Sequence, residues 1–187
     1  PTTLTVATYE SFTGEGTAGA WLKENFEAAQ SEYAVEFQTP ENGVNEFIRR
    51  AQRGVDIEPD GYIGLNTGEL VRVDERLDDP LFDGGEADLD NAGHVREELR
   101  IDPDGRAVPY DTGYITLVYD ATALDSEPTT FDDLLAEEFA GDLIVQNAQS
   151  SDPGRAFVLW TVAERGPESY LDYWSGLVDD DVRVLED

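Results

Sequence analysis

The sequence predicts an α/β fold built on a parallel-rich sheet with helices on both faces. Three features point there. Short apolar segments with a period of two alternate with longer stripes at helical spacing. The alternation breaks once, where two strand-like segments follow each other directly. It then resumes to the end of the 187 residues.

The elements follow in order. Leu4–Thr8 reads as a first strand, and Gly14, Gly16 and Gly19 loosen the turn after it. Ala18, Trp21, Leu22, Phe26 and Ala29 recur at helical spacing and predict one buried stripe. Tyr33, Val35 and Phe37 alternate with polar residues as a strand does. Pro40-Glu41-Asn42-Gly43 is a loop with Asn42 as the expected N-cap, and Val44, Phe47, Ile48 and Ala51 mark the helix behind it. Gly61–Leu65 is a third strand, with a helix expected from Thr67. The order β-α-β-α-β produces a parallel sheet covered by helices.

From Asp74 to Asp104 the pattern fades into Asp, Gly and Pro, with a short helix expected around Val95–Leu99. Ala107–Tyr114 and Ile115–Tyr119 are the adjacent β segments, and an inter-lobe crossing is expected there. Thr130 with Asp133 forms a variant capping box, and Gly141 is a stop signal. Leu143–Val145 is a buried strand. In Ser151-Asp152-Pro153-Gly154, Asp152 suits the N-cap and Pro153 the first helical position. Ala156, Leu159, Trp160 and Ala163 form the apolar face of that helix. A helix around Ser169–Leu177 and a strand at Val182–Leu185 close the chain.

Charge narrows the functional classes. There are 42 Asp+Glu against 12 Lys+Arg, a formal net charge of −30, and Lys23 is the only lysine. Self-repulsion of that size weakens a compact state at ordinary ionic strength. The 40% apolar and 10% aromatic content argues against disorder. At 1 M salt the Debye length falls to about 3 Å, so the composition is read as adaptation to concentrated salt. The same charge argues against a nucleic-acid partner, whose phosphates need cations. With no cysteine, neither a disulfide nor a thiolate metal site is available. No apolar run reaches the roughly 18 residues needed to span a bilayer. The opening Pro1-Thr2-Thr3 enters a strand pattern at once, as expected of a mature or trimmed segment.

Parallel α/β sheets bind ligands beyond the carboxyl ends of their strands. That rule selects Tyr9, Glu10 and Ser11; Asn42 and Gly43; Asn66 and Thr67; Tyr110, Asp111 and Thr112; and Ser150, Ser151 and Asp152. Tyr9 and Tyr110 can stack on a planar ligand, and Glu10 or Asp111 can neutralise a cation. Asn42 and Asp152 also have a plain reading as helix caps, and Tyr9 as a core edge. Catalytic signals are weak. His94, the only histidine, lies in an acidic, turn-rich stretch, and no Gly-x-Ser-x-Gly elbow, P-loop or His-Glu-x-x-His pair is present. No Ca²⁺ loop of the usual spacing occurs.

Five stretches in register resemble the thiamine-binding family of ABC-transporter substrate-binding proteins. Leu4–Phe12 is similar to its opening L-T-V-x-T-Y-D-S-F, Glu41–Val44 to E-D-G-V, and Ile63–Asn66 to L-G-L-D. Val108–Tyr114 with Val118-Tyr119-Asp120 is similar to V-P-F-D-Y-G-Y…V-Y-D. Gln146-Asn147, Ser151–Gly154 and Leu159-Trp160 are similar to Q-D…S-T-P-G…L-W.

The resemblance implies a type II periplasmic-binding-protein fold. Lobe one would span 1–108, the crossing 109–120 and the start of a second, incomplete lobe 121–187, the family chain running on past Asp187. It implies an extracytoplasmic receptor, periplasmic or at the cell surface and open to a lipid anchor. Such a monomeric receptor would hand thiamine or a thiamine phosphate to a permease and an ATPase, the vitamin being cargo rather than cofactor. Tyr9 falls on the family's aminopyrimidine contact, and Asn42-Gly43 and Ser151-Asp152 fall on ligand contacts of opposite lobes. Three departures stand out: Thr13–Gly16 replaces a Trp, Asn42 an Asp, and Asp152 a Thr. They weaken the case for a phosphorylated ligand more than for cationic thiamine. Two rivals stay open: a receptor for a polyamine or ferric ion, and an enzyme on the same fold.

Overall fold

The computed structural model describes residues 1–85 and 89–186. Residues 86–88 of the Asp74–Asp104 stretch, and Asp187, lie outside the described residues. The chain forms two compact units, Pro1–Thr112 and Gly113–Asp187.

In the first unit β1 (Thr2–Ala7) is the middle strand. It runs parallel to β2 (Tyr33–Gln38), in register from Thr2↔Tyr33 to Ala7↔Gln38. On its other side it pairs in parallel with β3 (Gly61–Tyr62), through Val6↔Gly61 and Ala7↔Tyr62. β3 is shorter than the Gly61–Leu65 expected: its pairing ends at Ala7↔Tyr62, where β1 itself ends, and Gly64 beyond it sits at φ +97°. The loosened turn after β1 holds a short helix, α1 (Glu10–Thr13), whose Phe12 is buried. α2 (Ala18–Ala29) starts at Thr17, whose Oγ1 accepts from the Ala20 N–H. Its Gly19 is required by packing, since a Cβ there would lie 2.3 Å from the Phe12 carbonyl oxygen.

The stripe on α2 is present, but it is not buried: Trp21, Leu22 and Phe26 are all exposed, Trp21 by 63%. Helical period shows that a face is apolar. It does not show what covers it.

α3 (Val44–Gln52) and α4 (Thr67–Arg76) pack on each other. Val44, Ile48 and Val73 form the core between them, closed by Tyr62, Leu65, Leu77, Leu81 and Phe82. Gly43, not Asn42, is the N-cap of α3, at φ +51°, a conformation that favours glycine. α4 begins with a full capping box between Asn66 and Glu69. Beyond it the backbone makes two 3-10 turns, Ala92–His94 and Glu97–Leu99, where one short helix was expected.

In the second unit β4 (Ile144–Gln146) and β5 (Arg183–Leu185) pair in parallel. α5 (Asp152–Arg165) and α6 (Tyr170–Asp179) connect them. Leu134, Tyr173 and Leu177 form the core, and Phe131, Phe157, Trp160, Tyr173 and Trp174 make a chain of ring contacts beside it. Burial pushes the Tyr173 hydroxyl up to about 12, partly offset by Arg165, which lies over its ring. Thr130 and Asp133 exchange capping hydrogen bonds as expected. The segment they cap is two 3-10 turns, Asp133–Leu135 and Glu137–Phe139, rather than a helix. Ile115–Tyr119 joins no ladder among the described residues, and Val118 is 91% exposed. A strand needs a neighbour for its backbone groups, and alternation alone does not provide one.

Candidate functional site

Parallel strands deliver their carboxyl ends to one edge of the sheet, so the loops after β1, β2 and β3 emerge together. The edge is tied by backbone bonds from Thr8 N–H to the Gln38 carbonyl (2.9 Å) and from Ile63 N–H to the Ala7 carbonyl (2.9 Å). Thr8 is buried there, and its hydroxyl has no partner among the described residues.

Tyr9 is the first residue beyond this edge and the N-cap of α1. Its ring lies against the backbone of Gly64 in the β3–α4 loop, where an added Cβ would sit 2.5 Å from the ring Cδ1. The Tyr9 and Tyr110 hydroxyls lie close enough to interact electrostatically. The Tyr110 hydroxyl is pushed up from its ordinary range by desolvation first, then by its interaction with Tyr9 and by the charge of Asp111. Tyr110 is 60% exposed. Three chain segments distant in sequence thus approach one another through Tyr9, Gly64 and Tyr110, and both tyrosines remain partly open to solvent.

Asn42 and Gly43 lie at the tip of β2. A Cβ on Gly43 would stand 3.3 Å from the Tyr62 hydroxyl and 3.7 Å from Glu69 Oε1. Asn66 accepts from the Glu69 N–H through Oδ1 at 2.9 Å, and Glu69 Oε2 accepts from the Asn66 N–H at 3.2 Å. Glu10 and Ser11 are exposed on α1, and Asp111 is exposed beside Tyr110. Tyr9, Tyr110 and Asp111 are therefore brought together, and Gly43 is brought to the Asn66–Glu69 cap.

In the second unit the tip of β4 leads into Ser150, Ser151 and Asp152. The N-cap of α5 is Ser151, one residue earlier than Asp152, and Pro153 accordingly takes the second helical position. Ser151 is 2% exposed. Its Oγ donates to Gln146 Oε1 (2.5 Å) and accepts from the Gly154 N–H (3.2 Å). Ser150 Oγ donates to Glu186 Oε2 at 3.1 Å, and Asp152 accepts from Arg155 at 2.9 Å. Gly154 lets α5 approach the strand, since a Cβ would fall 2.4 Å from the Gln146 carbonyl oxygen.

Sequence reasoning missed Tyr62, Gly64 and Glu69 as residues that shape the first-unit tips. A glycine inside a strand pattern is a signal of close backbone approach, and Gly64 carried it. Among the described residues no three His, Asp or Glu side chains are grouped to hold a metal ion. No helix among them is long and apolar enough to cross a membrane. What the first-unit tips offer chemically is recognition: exposed aromatic faces, neighbouring carboxylates and loop backbone.

The bacterial extracellular solute-binding protein family model matches residues 74–184, more than half of the chain, and the chain belongs to that family. Membership makes it an extracytoplasmic protein of the solute-binding class. Among curated relatives, a thiamine-binding periplasmic protein of Brucella suis biovar 1 is 28% identical over 169 residues, covering 89% of this chain and 48% of its own length. A thiamine-binding periplasmic protein of Escherichia coli K12 is 29% identical over 187 residues, covering 98% of this chain and 53% of its own. A solved periplasmic thiamin binding protein superposes with a TM-score of 0.72 at 22% identity, over 98% of this chain and 55% of that one. That likeness shows the fold, the expected α/β binding-protein architecture. The chain spans about half the length of the curated relatives it matches.

Proposed function

We propose that the chain captures thiamine, or a thiamine phosphate, for an ABC importer, working with a membrane permease and an ATPase and without chemical change to the ligand. The observation that carries this reading is Tyr9 packed on Gly64 at the sheet's carboxyl edge, with the exposed Tyr110 close to it. Thiamine is a flat, cationic heteroaromatic. Open tyrosine faces supply stacking and cation–π attraction, worth about 0.5–1 kcal/mol at exposed sites and more when desolvated. Glu10 and Asp111 supply counter-charge, and the loop at Asn42-Gly43 supplies backbone contacts. The printed names of the relatives support the choice of ligand.

Ser151 contributes as the cap that fixes the start of α5, while Ser150 and Asp152 present polar groups beside it. No cofactor is needed for this role.

Calorimetric titration of thiamine into the protein in molar KCl tests the reading. Saturable 1:1 heat, lost in Tyr9→Ala and Tyr110→Ala, is the expected outcome, with the ligand recovered intact. Absence of heat at millimolar thiamine overturns it, and so does consumption of the ligand.

A further inference from the structure

The outer seam between α3 and α4 holds a hollow of about 280 Å³ lined by Asn42, Asn45, Ile48, Arg49, Gln52, Arg72 and Arg76. No carboxylate lines it, in a chain that carries 42 of them against 12 basic residues. Three of those basic residues converge there. Among the described residues none of the three forms a salt bridge, although arginines elsewhere in the chain do, as Arg106, Arg155 and Arg165 show. Arg72 donates to Asn45 Oδ1 at 3.1 Å, which fixes its guanidinium at the seam. Gln52 Nε2 donates to the Arg76 carbonyl at 3.1 Å and joins the far end of the two helices.

A plainer role exists for two of them. Arg49 and Arg76 sit in the last turns of their helices, where a cation offsets the helix dipole. The dipole does not explain Arg72, which lies a turn earlier. Nor does it explain why side chains from two helices open onto one carboxylate-free hollow.

We infer that this groove is a binding site for a small anion bearing two oxyanion groups, of the diphosphate or dicarboxylate class. The hollow has room for two such groups, and guanidinium forks match phosphate and carboxylate oxygens two at a time. In concentrated salt long-range attraction is screened to about 3 Å, so direct arginine contact is the form of anion recognition that persists. The groove meets the candidate solute site only at Asn42.

The test is titration of pyrophosphate and of citrate, each at constant KCl, into the wild-type protein and into Arg49→Gln/Arg72→Gln/Arg76→Gln, followed by calorimetry. Saturable binding of either probe, weakened at least tenfold in the triple variant, is expected, while thiamine binding stays unchanged. Arg76→Gln alone, at an exposed position, keeps the test open should the triple variant misfold, and a several-fold loss is expected. Equal binding in wild type and variants overturns the inference, as does no binding. Tighter capture of an oligoglutamate peptide than of either small anion overturns it too, and assigns the seam to an acidic protein partner.

Discussion

Removing the Arg106 guanidinium should destabilise the first unit by about 2–3 kcal/mol. Asp102 is 6% exposed, and the segment Asp102–Ala107 wraps its carboxylate. The carboxylate accepts from the backbone N–H of Asp104 (3.3 Å), Arg106 (2.6 Å) and Ala107 (3.0 Å) and from Arg106 Nη2 (3.0 Å). Arg106 also forks Asp74 on α4, at 2.7 and 3.0 Å, and so ties the segment that leads to Tyr110 onto that helix. Breaking a buried pair from one side costs about 3–5 kcal/mol. The three remaining N–H donors keep the loss in Arg106→Ala below the top of that range.

Burial alone would raise the Asp102 carboxyl. The Arg106 guanidinium and the backbone donors outweigh burial and hold it at about 2, against an ordinary 3.8. A depressed carboxyl contributes stability that is fully present above its unfolded value and lost as pH falls through the folded one. The clamp's contribution, about 2 kcal/mol from that shift, is therefore complete above about pH 5 and fades toward pH 2. Urea denaturation of both proteins in molar KCl, from pH 7 down to pH 3, measures it. The gap between wild type and Arg106→Ala should persist in high salt, because the pair is buried, and should shrink below pH 4. A difference under about 0.5 kcal/mol at pH 7 would refute the reasoning.

Three other outcomes are expected. Gly64→Ala places a methyl 2.5 Å from the Tyr9 ring at φ +97°, which costs about 1–3 kcal/mol of backbone strain and swings Tyr9 away from Tyr110. Spectrophotometric titration should then show the Tyr110 phenol ionising at lower pH than in wild type, together with weaker thiamine binding. Gly154→Ala drives a Cβ into the Gln146 carbonyl and should lower the melting temperature of the second unit, read from near-ultraviolet circular dichroism of its tryptophans, without altering Tyr9. Raising KCl from 0.1 to 1 M shortens the Debye length from about 10 to 3 Å and should raise the melting temperature of the whole chain. A melting temperature that is flat or falling with salt would remove the reading of −30 as salt adaptation.

Local signals carried much of this fold. β1, α2, β2, α3, β4, α5, α6 and β5 each start and stop within two residues of where period and capping residues put them, and α4 starts at Thr67 as expected, because those signals act within a turn or a strand. The errors share another cause. Trp21, Leu22 and Phe26 form an apolar face whose cover is not encoded at i+3 or i+4. Ile115–Tyr119 alternates like a strand, but pairing depends on a partner far away in sequence. The caps at Gly43 and Ser151 fell one residue from their expected places because Asn42-Gly43 and Ser151-Asp152 each offer two good capping residues in succession. Of the candidate site, Tyr9 and Tyr110 were legible as aromatic residues beyond strand ends. Gly64, which sets the position of Tyr9, was not singled out. The arginine seam was hidden by a net charge that sums over the whole chain and reports nothing about where twelve cations lie.

The two units use one local plan with different consequences. In each, a parallel strand ends at a loop, a glycine allows close backbone approach, and a capped helix carries the chain back. At the tip of β4 the polar groups answer one another: Ser151 with Gln146 and Gly154, Ser150 and Asn147 with Glu186. At the tips of β1 and β3 the hydrogen bonds hold the backbone edge together, and the Tyr9 ring packs on Gly64. The aromatic faces stay open. A group whose hydrogen bonds are met internally adds rigidity but has little left for a guest, whereas an exposed ring held by packing on one side keeps its other side available at low entropic cost. On that physical ground the affinity for a flat cation should follow the tyrosine pair, and substitutions at Ser151 should act through the stability of α5.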